Sequence, residues 1–489
     1  MRGRLHQSIL TGIILVFLLA IAWESGFPGM AQGAIRKAPY LTYSGVNTEM
    51  RVLWQTTVSE SCTIEWGTDT GYSLGSSMTG EYGADHQHAF TIGDLTPGGT
   101  YYYRVTVGGF QFTGSFRAAP PEDATSVKFI AYGDTRSYPA DHDKVAARVM
   151  AHCDDDADLH TFVLSVGDLV YNGDTEADWD NQFFSASYPN IRHLLADLPY
   201  QSCKGNHEQT GAGFMKYFPY PYVAARYWSF DYGPAHFAVV DQYTSYGPGS
   251  LQLQWLDDDL SATDKPWKFI CLHEPGWSAG GGHPNNSSVQ TYLEPLFEAH
   301  GVAMVFGGHN HYYARASVNG IEHLTVGGGG APLHTPNLTY PYVVAGTSAY
   351  SHCEIAIDGG HLKFEAYTYA DSLIDSLSIF LPGASVPVGD GGVTGRVRVE
   401  SVSPNPISGS VGSSIASFVV PAEERVQAAV YDLSGRRVAL LLDEIASAGM
   451  HQVSWKGRDS SGRRVAPGLY VLRLDAPSGG ASAKIVVVR

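Results

Sequence analysis

The hydrophobic rhythm of this chain changes twice along its length. From about residue 36 to 118, short runs alternate apolar and polar positions: Met50-Arg-Val-Leu-Trp54, Cys62-Thr-Ile-Glu-Trp66 and Tyr101-Tyr-Tyr-Arg-Val-Thr-Val107. Gly- and Thr-rich turns separate them, which predicts a small all-β sandwich with Trp54 in its core. Ala118-Ala-Pro-Pro-Glu-Asp123 reads as a linker. From about 125 to 380 the pattern switches between strand and helix. Val145, Ala146, Val149 and Met150 recur at helical spacing, and Leu251 to Leu260 and Val289 to His300 predict two more helices. Such alternation predicts a layered α/β domain. Tyr227 to Tyr232 and His236 to Asp241 read as neighbouring antiparallel strands, so the sheet is expected to be mixed. A Gly/Pro/Val linker over 381–399 precedes a second all-β region, 400–489.

Within the central region, five apolar strands each end in residues able to bind metal. Val127 to Tyr132 runs into Asp134, Phe162 to Val166 into Asp168, and Leu198 to Cys203 into Asn206 and His207. Lys268 to Leu272 runs into His273, and Val302 to Phe306 into His309 and His311. In α/β sheets the reactive crevice lies beyond the carboxyl ends of the strands, so all these side chains should meet in one place. Hard oxygen and imidazole donors without thiolate suit Fe, Mn or Zn. A carboxylate can bridge two cations, so the set can hold a pair of ions.

Composition narrows the field. Asp and Glu outnumber Lys and Arg by 48 to 31, a net charge of −17, which argues against nucleic-acid binding through phosphates. The five cysteines are widely spaced, and Cys203 and Cys271 fall inside core strands, where a thiol acts as a small hydrophobe. Arg2 and Arg4 precede an apolar run from Ile9 to Trp23, with small residues around Ala31 and Ala34. That run is shorter than the roughly 20 residues of a spanning helix. It predicts a signal peptide over residues 1–34 and a secreted or cell-surface product without a transmembrane helix.

The motif order (GD, GD, GNH, a lone His, GHxH) resembles the calcineurin-like metallophosphoesterases, and more narrowly the purple acid phosphatases. General members carry a His two residues after the first Asp, where this chain has Arg136. Purple acid phosphatases instead place a Tyr three residues after the second Asp, matched here by Tyr171. The resemblance implies a four-layer α+β sandwich of mixed sheets. It implies Asp134, Asp168, Tyr171 and His311 around Fe(III), and Asp168, Asn206, His273 and His309 around Fe(II), Zn(II) or Mn(II), with Asp168 bridging. It further implies hydrolysis of phosphate esters by metal-activated water, with His207 as proton donor or phosphate ligand. His283, ten residues after His273, also fits the pattern as a substrate contact, and Arg136 either grips a phosphate oxygen or pairs with a carboxylate. Gly327 to Gly330 is expected to be a tight crossing beside the site.

The flanking regions resemble immunoglobulin-like modules. Leu95-Thr-Pro-Gly-Gly-Thr-Tyr101 is similar to a corner of fibronectin type III domains. Asn405-Pro406, YDLSGRRV, GMHQVSW, GLYVLRL and the terminal Lys484 to Arg489 resemble a type IX secretion sorting domain, implying contact with secretion machinery. Two other functions fit the same residues: a phosphodiesterase or nucleotide hydrolase on one centre, or a surface binding protein with a vestigial site. The second is disfavoured because every ligand position is filled.

Overall fold

The computed structural model describes residues 35–381 and, with breaks at 404, 406 and 408–412, residues 396–488. The proposed signal peptide, most of the 381–399 linker and Pro406 therefore lie outside the described residues.

The central domain is built on two mixed sheets. In the first, Tyr200–Ser202, Val163–Ser165 and Ser126–Ala131 run parallel, and Ser351–Asp358, His361–Thr368 and Leu373–Phe380 continue it antiparallel. The second orders Trp228–Tyr232, Ala235–Val239, Trp267–Cys271, Met304–Gly307, Ile321–Val326, Tyr313–Val318 and Val343–Thr347. Its four inner strands, from Ala235–Val239 to Ile321–Val326, are parallel.

The two sheets meet through aromatic side chains. Phe129 of the first sheet touches Phe237, Phe269 and Phe306 of the second, with ring centroids 5.1–6.0 Å apart. Both faces of these strands are buried, which explains their unbroken apolar runs. On the outside of the second sheet, Ala238, Ile270 and Leu272 pack against Leu256 and Leu260 of the helix Leu251–Ala262 and Phe297 of Glu294–His300. The helix Pro139–Asp155 buries Val145, Ala146 and Val149 against the first sheet's side of the core, as its spacing predicts. The order helix, sheet, sheet, helix is the expected four-layer arrangement.

The N-terminal region forms a three-stranded and a four-stranded antiparallel sheet sharing one core, in which Trp54 is buried. It is fastened to the central domain by Lys37, whose Nζ lies 2.6 Å from both Glu176 Oε1 and Asp180 Oδ1. The C-terminal region likewise forms sheets of three and four strands around its own apolar core. All five cysteines are buried and unpaired. Among the described residues no helix is long and apolar enough to cross a membrane.

Candidate metal centre

Three of the five ligand strands belong to the first sheet and two to the second, so the crevice lies where the carboxyl ends of both sheets meet. The turns that leave these strands are unusual. Asp134, Asp168 and His309 all adopt left-handed backbone conformations, with φ of 53°, 54° and 65°. Non-glycine residues held there cost energy that the surrounding structure must offset. Two glycines permit the close approach: a Cβ on Gly205 would lie 2.2 Å from Asp168 Oδ1, and one on Gly308 2.2 Å from Asp134 Oδ2. The Gly327 to Gly330 segment does cross the site closely. The Gly329 amide donates to the Gly133 carbonyl at 2.8 Å, and the Ala331 amide to that of Asp134 at 2.8 Å.

Asp134, Asp168 and His273 converge closely enough to share one cation, all three buried. Asn206 Oδ1 is 3.0 Å from both His273 Nε2 and His309 Nδ1, and Asp168 Oδ1 is 3.4 Å from His273 Nε2. His273 directs its Nδ1–H to the Val166 carbonyl at 2.7 Å, which leaves the Nε2 lone pair facing the site. The expected second position (Asp168, Asn206, His273, His309) thus offers one carboxylate oxygen, one amide oxygen and two imidazole nitrogens at mutual distances that fit a metal.

The first position is arranged differently. His311 fixes its tautomer by an Nδ1–H bond to the Pro332 carbonyl, 2.7 Å, and its Nε2 lies 3.7 Å from Asp134 Oδ1. Between it and Asp168 sits Arg136, with Nε 3.3 Å from Asp168 Oδ2 and Nη2 3.3 Å from His311 Nε2. Asp134, Asp168 and His311 fit a metal once that guanidinium moves aside. Tyr171 lies on the turn beside this group. Its side chain is 58% exposed, and its phenol makes no hydrogen bond with any described residue. Its carbonyl instead accepts His207 Nδ1 at 2.5 Å. The phenolate ligand remains an expectation: Gln182 Oε1 accepts the amides of both Tyr171 and Ser137 at 2.9 Å, and the Tyr171 ring lies beside His207 with centroids 5.5 Å apart.

His207 and His283 are both brought to the site. The His207 amide donates to Asp168 Oδ1 at 2.8 Å, and its Nε2 is 3.9 Å from Asp168 Oδ2. The His283 ring stacks on His309 with centroids 3.8 Å apart.

Sequence reasoning missed several supporting groups. Glu208 accepts the amides of Asp168, Leu169 and Gly205 at 3.0, 2.7 and 2.7 Å, tying the second and third ligand turns together. Gln242 accepts the amides of His273 and Glu274. His334 stacks on His311 at 4.1 Å and accepts its amide at Nδ1. A buried Glu directly after the GNH triplet was the one signal available beforehand.

Charge is concentrated here, and Arg136 pairs with only one of the carboxylates, Asp168. Burial, and then repulsion from Asp168, raises the Asp134 carboxyl well above its ordinary range. Burial works against Asp168 too, but His273 and His207 outweigh it and hold its carboxyl low. Burial and the charge of Asp168 push Glu208 up to about 7. Burial, aided by neighbouring imidazoles, drops His309 to about 2, and burial beside His334 and Arg136 drops His311 to about 3. Both stay neutral into acid, with lone pairs free for a cation.

Family models match twice: calcineurin-like phosphoesterase over residues 127–313, and the purple acid phosphatase N-terminal domain over residues 37–118. Purple acid phosphatase 18 of Arabidopsis thaliana is 29% identical over 321 residues, covering 58% of this chain and 68% of its own. Acid phosphatase type 7 of Homo sapiens is 26% identical over 340 residues, covering 62% and 75%. The probable purple acid phosphatase 20 of Arabidopsis thaliana is matched over 66% of its length. A purple acid phosphatase from yellow lupin (Lupinus luteus) seeds shares the fold, with a TM-score of 0.60 at 19% identity over 70% of this chain and 74% of that one. Motif order, converging donors and these relatives agree: the chain carries a calcineurin-like phosphoesterase domain similar to those of the purple acid phosphatases and is a metal-dependent hydrolase of phosphoric esters.

Proposed function

We propose that the protein is an exported phosphatase acting on phosphomonoesters at a binuclear centre. The observation that carries this reading is the setting of Asp168. One of its carboxylate oxygens faces the amide and imidazole donors, and the other faces Arg136 and His207. Bound metal ions would neutralise phosphoryl charge and lower the pKa of a water. Arg136 already lies between Asp168 and His311, from which its planar fork can turn to two phosphoryl oxygens. His207, anchored through Nδ1 on the Tyr171 carbonyl, keeps Nε2 toward the pocket and as imidazolium delivers a proton to the leaving oxygen. His283 and His334 stack on the two histidines of the GHxH motif and hold their rings in place.

We assign Fe(III) to the position beside Tyr171 and Fe(II), Zn(II) or Mn(II) to the second. The acid phosphatase names of the relatives support monoesters over diesters. Export is supported by the charged and apolar pattern of residues 1–34, and contact with secretion machinery by the order of the C-terminal motifs. The deciding experiment is hydrolysis of matched aryl phosphate mono- and diesters by metal-replete protein. Faster turnover of the monoester is expected. Faster turnover of the diester would transfer the assignment to a phosphodiesterase.

A further inference from the structure

A second group of ligand-type side chains lies away from the crevice, where the C-terminal end of the helix Pro139–Asp155 meets the strand Ser351–Asp358. His352 and Glu354, two residues apart on that strand, share one face of it. His152, in the last turn of the helix, reaches the same point, and the ligand atoms of His152, His352 and Glu354 all lie within 4.8 Å of one another. Both imidazoles aim at a single oxygen. His352 Nε2 is 3.0 Å from Glu354 Oε1, and His152 Nδ1 is hydrogen-bonded to that same oxygen. The side chains of His152 and Glu354 are 15% exposed and that of His352 is fully buried.

The surroundings add a feature that an ordinary ion pair does not need. His152 turns its other nitrogen, Nε2, to Asp371 Oδ1 at 2.9 Å, and Arg148 Nη1 holds the second oxygen of Asp371 at 3.3 Å. A carboxylate accepting the far N–H of an imidazole fixes its tautomer and presents the near nitrogen as a lone pair, the arrangement found behind metal-bound histidines. With Nε2–H committed to Asp371, the Nδ1 lone pair faces a carboxylate oxygen, another acceptor. Something positive must stand between them, either a proton or a metal ion. Two histidines and a glutamate form a ligand set that Zn(II) takes with a fourth position left to water.

We propose that His152, His352 and Glu354 bind a structural divalent cation of the zinc type, oriented by Asp371. The ion joins the helix that follows the Asp134 turn to the strand beside Ser126–Ala131, about 20 Å along the helix from the catalytic turn at the rise of an α-helix. It is separate from the catalytic centre and does not depend on the phosphatase reading.

The test uses full-length protein stripped with chelator, reloaded with Zn(II) or Co(II), and freed of excess ion before metal analysis. The Asp168→Asn variant, impaired at the catalytic centre, is expected to keep one equivalent. That equivalent should disappear when Glu354→Gln or His352→Ala is added, together with the visible absorption of Co(II) in a nitrogen and oxygen site. Asp371→Asn is expected to weaken binding roughly 10- to 100-fold, the usual effect of removing a carboxylate behind a ligating histidine. Circular dichroism establishes that each variant is folded, and His152→Ala serves if Glu354→Gln is not. If Asp168→Asn holds the same metal with and without Glu354→Gln, the cluster is a proton-bridged ion pair and the proposal is overturned.

Discussion

The carboxylate of Glu208 accepts the backbone amide of Asp168 at 3.0 Å and that of Gly205 at 2.7 Å, so one buried side chain sets the spacing of two ligand turns. Replacing it by Ala strands three buried amides, each hydrogen bond to a charged group being worth about 1.5–3 kcal/mol. We expect Glu208→Ala to lower stability by several kcal/mol and to lose metal, and Glu208→Gln to keep the fold while binding metal roughly 10- to 100-fold more weakly. Calorimetry and metal analysis check both. Wild-type metal affinity in Glu208→Gln would show that the turns hold their spacing without the carboxylate.

Arg136 competes with the first ion for Asp168 and His311. Arg136→Ala should therefore tighten metal binding at that position while raising KM for a phosphate ester about 10- to 100-fold, the loss of one or two charge-assisted hydrogen bonds. Iron-loaded wild-type protein should show a phenolate charge-transfer band that Tyr171→Phe removes. A colourless iron-loaded protein would remove the tyrosine from the ligand set.

His207 is predicted to act on the leaving group. His207→Ala should reduce kcat about 10²- to 10⁴-fold without loss of metal, general acid catalysis being worth that much. The effect should grow from nitrophenyl to alkyl phosphates as the leaving oxygen becomes more basic. An equal effect across the series would assign His207 to binding alone.

A pH-dependent clamp lies at the far edge of the second sheet. His236 donates to Asp231 at 2.7 Å and Asp259 at 2.9 Å, joining its hairpin to the helix Leu251–Ala262. Burial opposes its charge, but the two carboxylates prevail and raise it to about 9. A histidine raised on folding stabilises fully below its unfolded pKa, about 6.5, and loses that contribution as pH climbs through 9. At about 1.4 kcal/mol per pH unit the upper bound is about 3 kcal/mol. The stability gap between wild type and His236→Gln should be widest near pH 6 and nearly closed by pH 10. A gap constant over that range would refute the charged clamp.

The converging candidate donors are legible because each sits at the end of an apolar run, and strand ends are local features of a sequence. The partition of those strands between two sheets was not, since parallel partners such as Trp267–Cys271 and Met304–Gly307 lie far apart in sequence and are chosen by packing. Tyr171 shows the limit of spacing. Three residues after Asp168 is the right place in the chain, but the partner of its amide, Gln182 eleven residues further on, is chosen by the fold. Gln242 and His334 escaped notice for the same reason, acting through contacts with distant backbone that no local motif announces.

The left-handed turns at Asp134, Asp168 and His309 bear on how this centre should be dissected. An alanine there removes a donor and also places a Cβ-bearing residue with no local hydrogen-bonding group in a backbone state costing about 1–2 kcal/mol, so its phenotype mixes chemistry with strain. Asparagine tolerates that state and keeps the shape of aspartate. For the two aspartates, Asn removes the charge and one acceptor while sparing the backbone, and the difference between Asn and Ala reports on the tension in the loop itself.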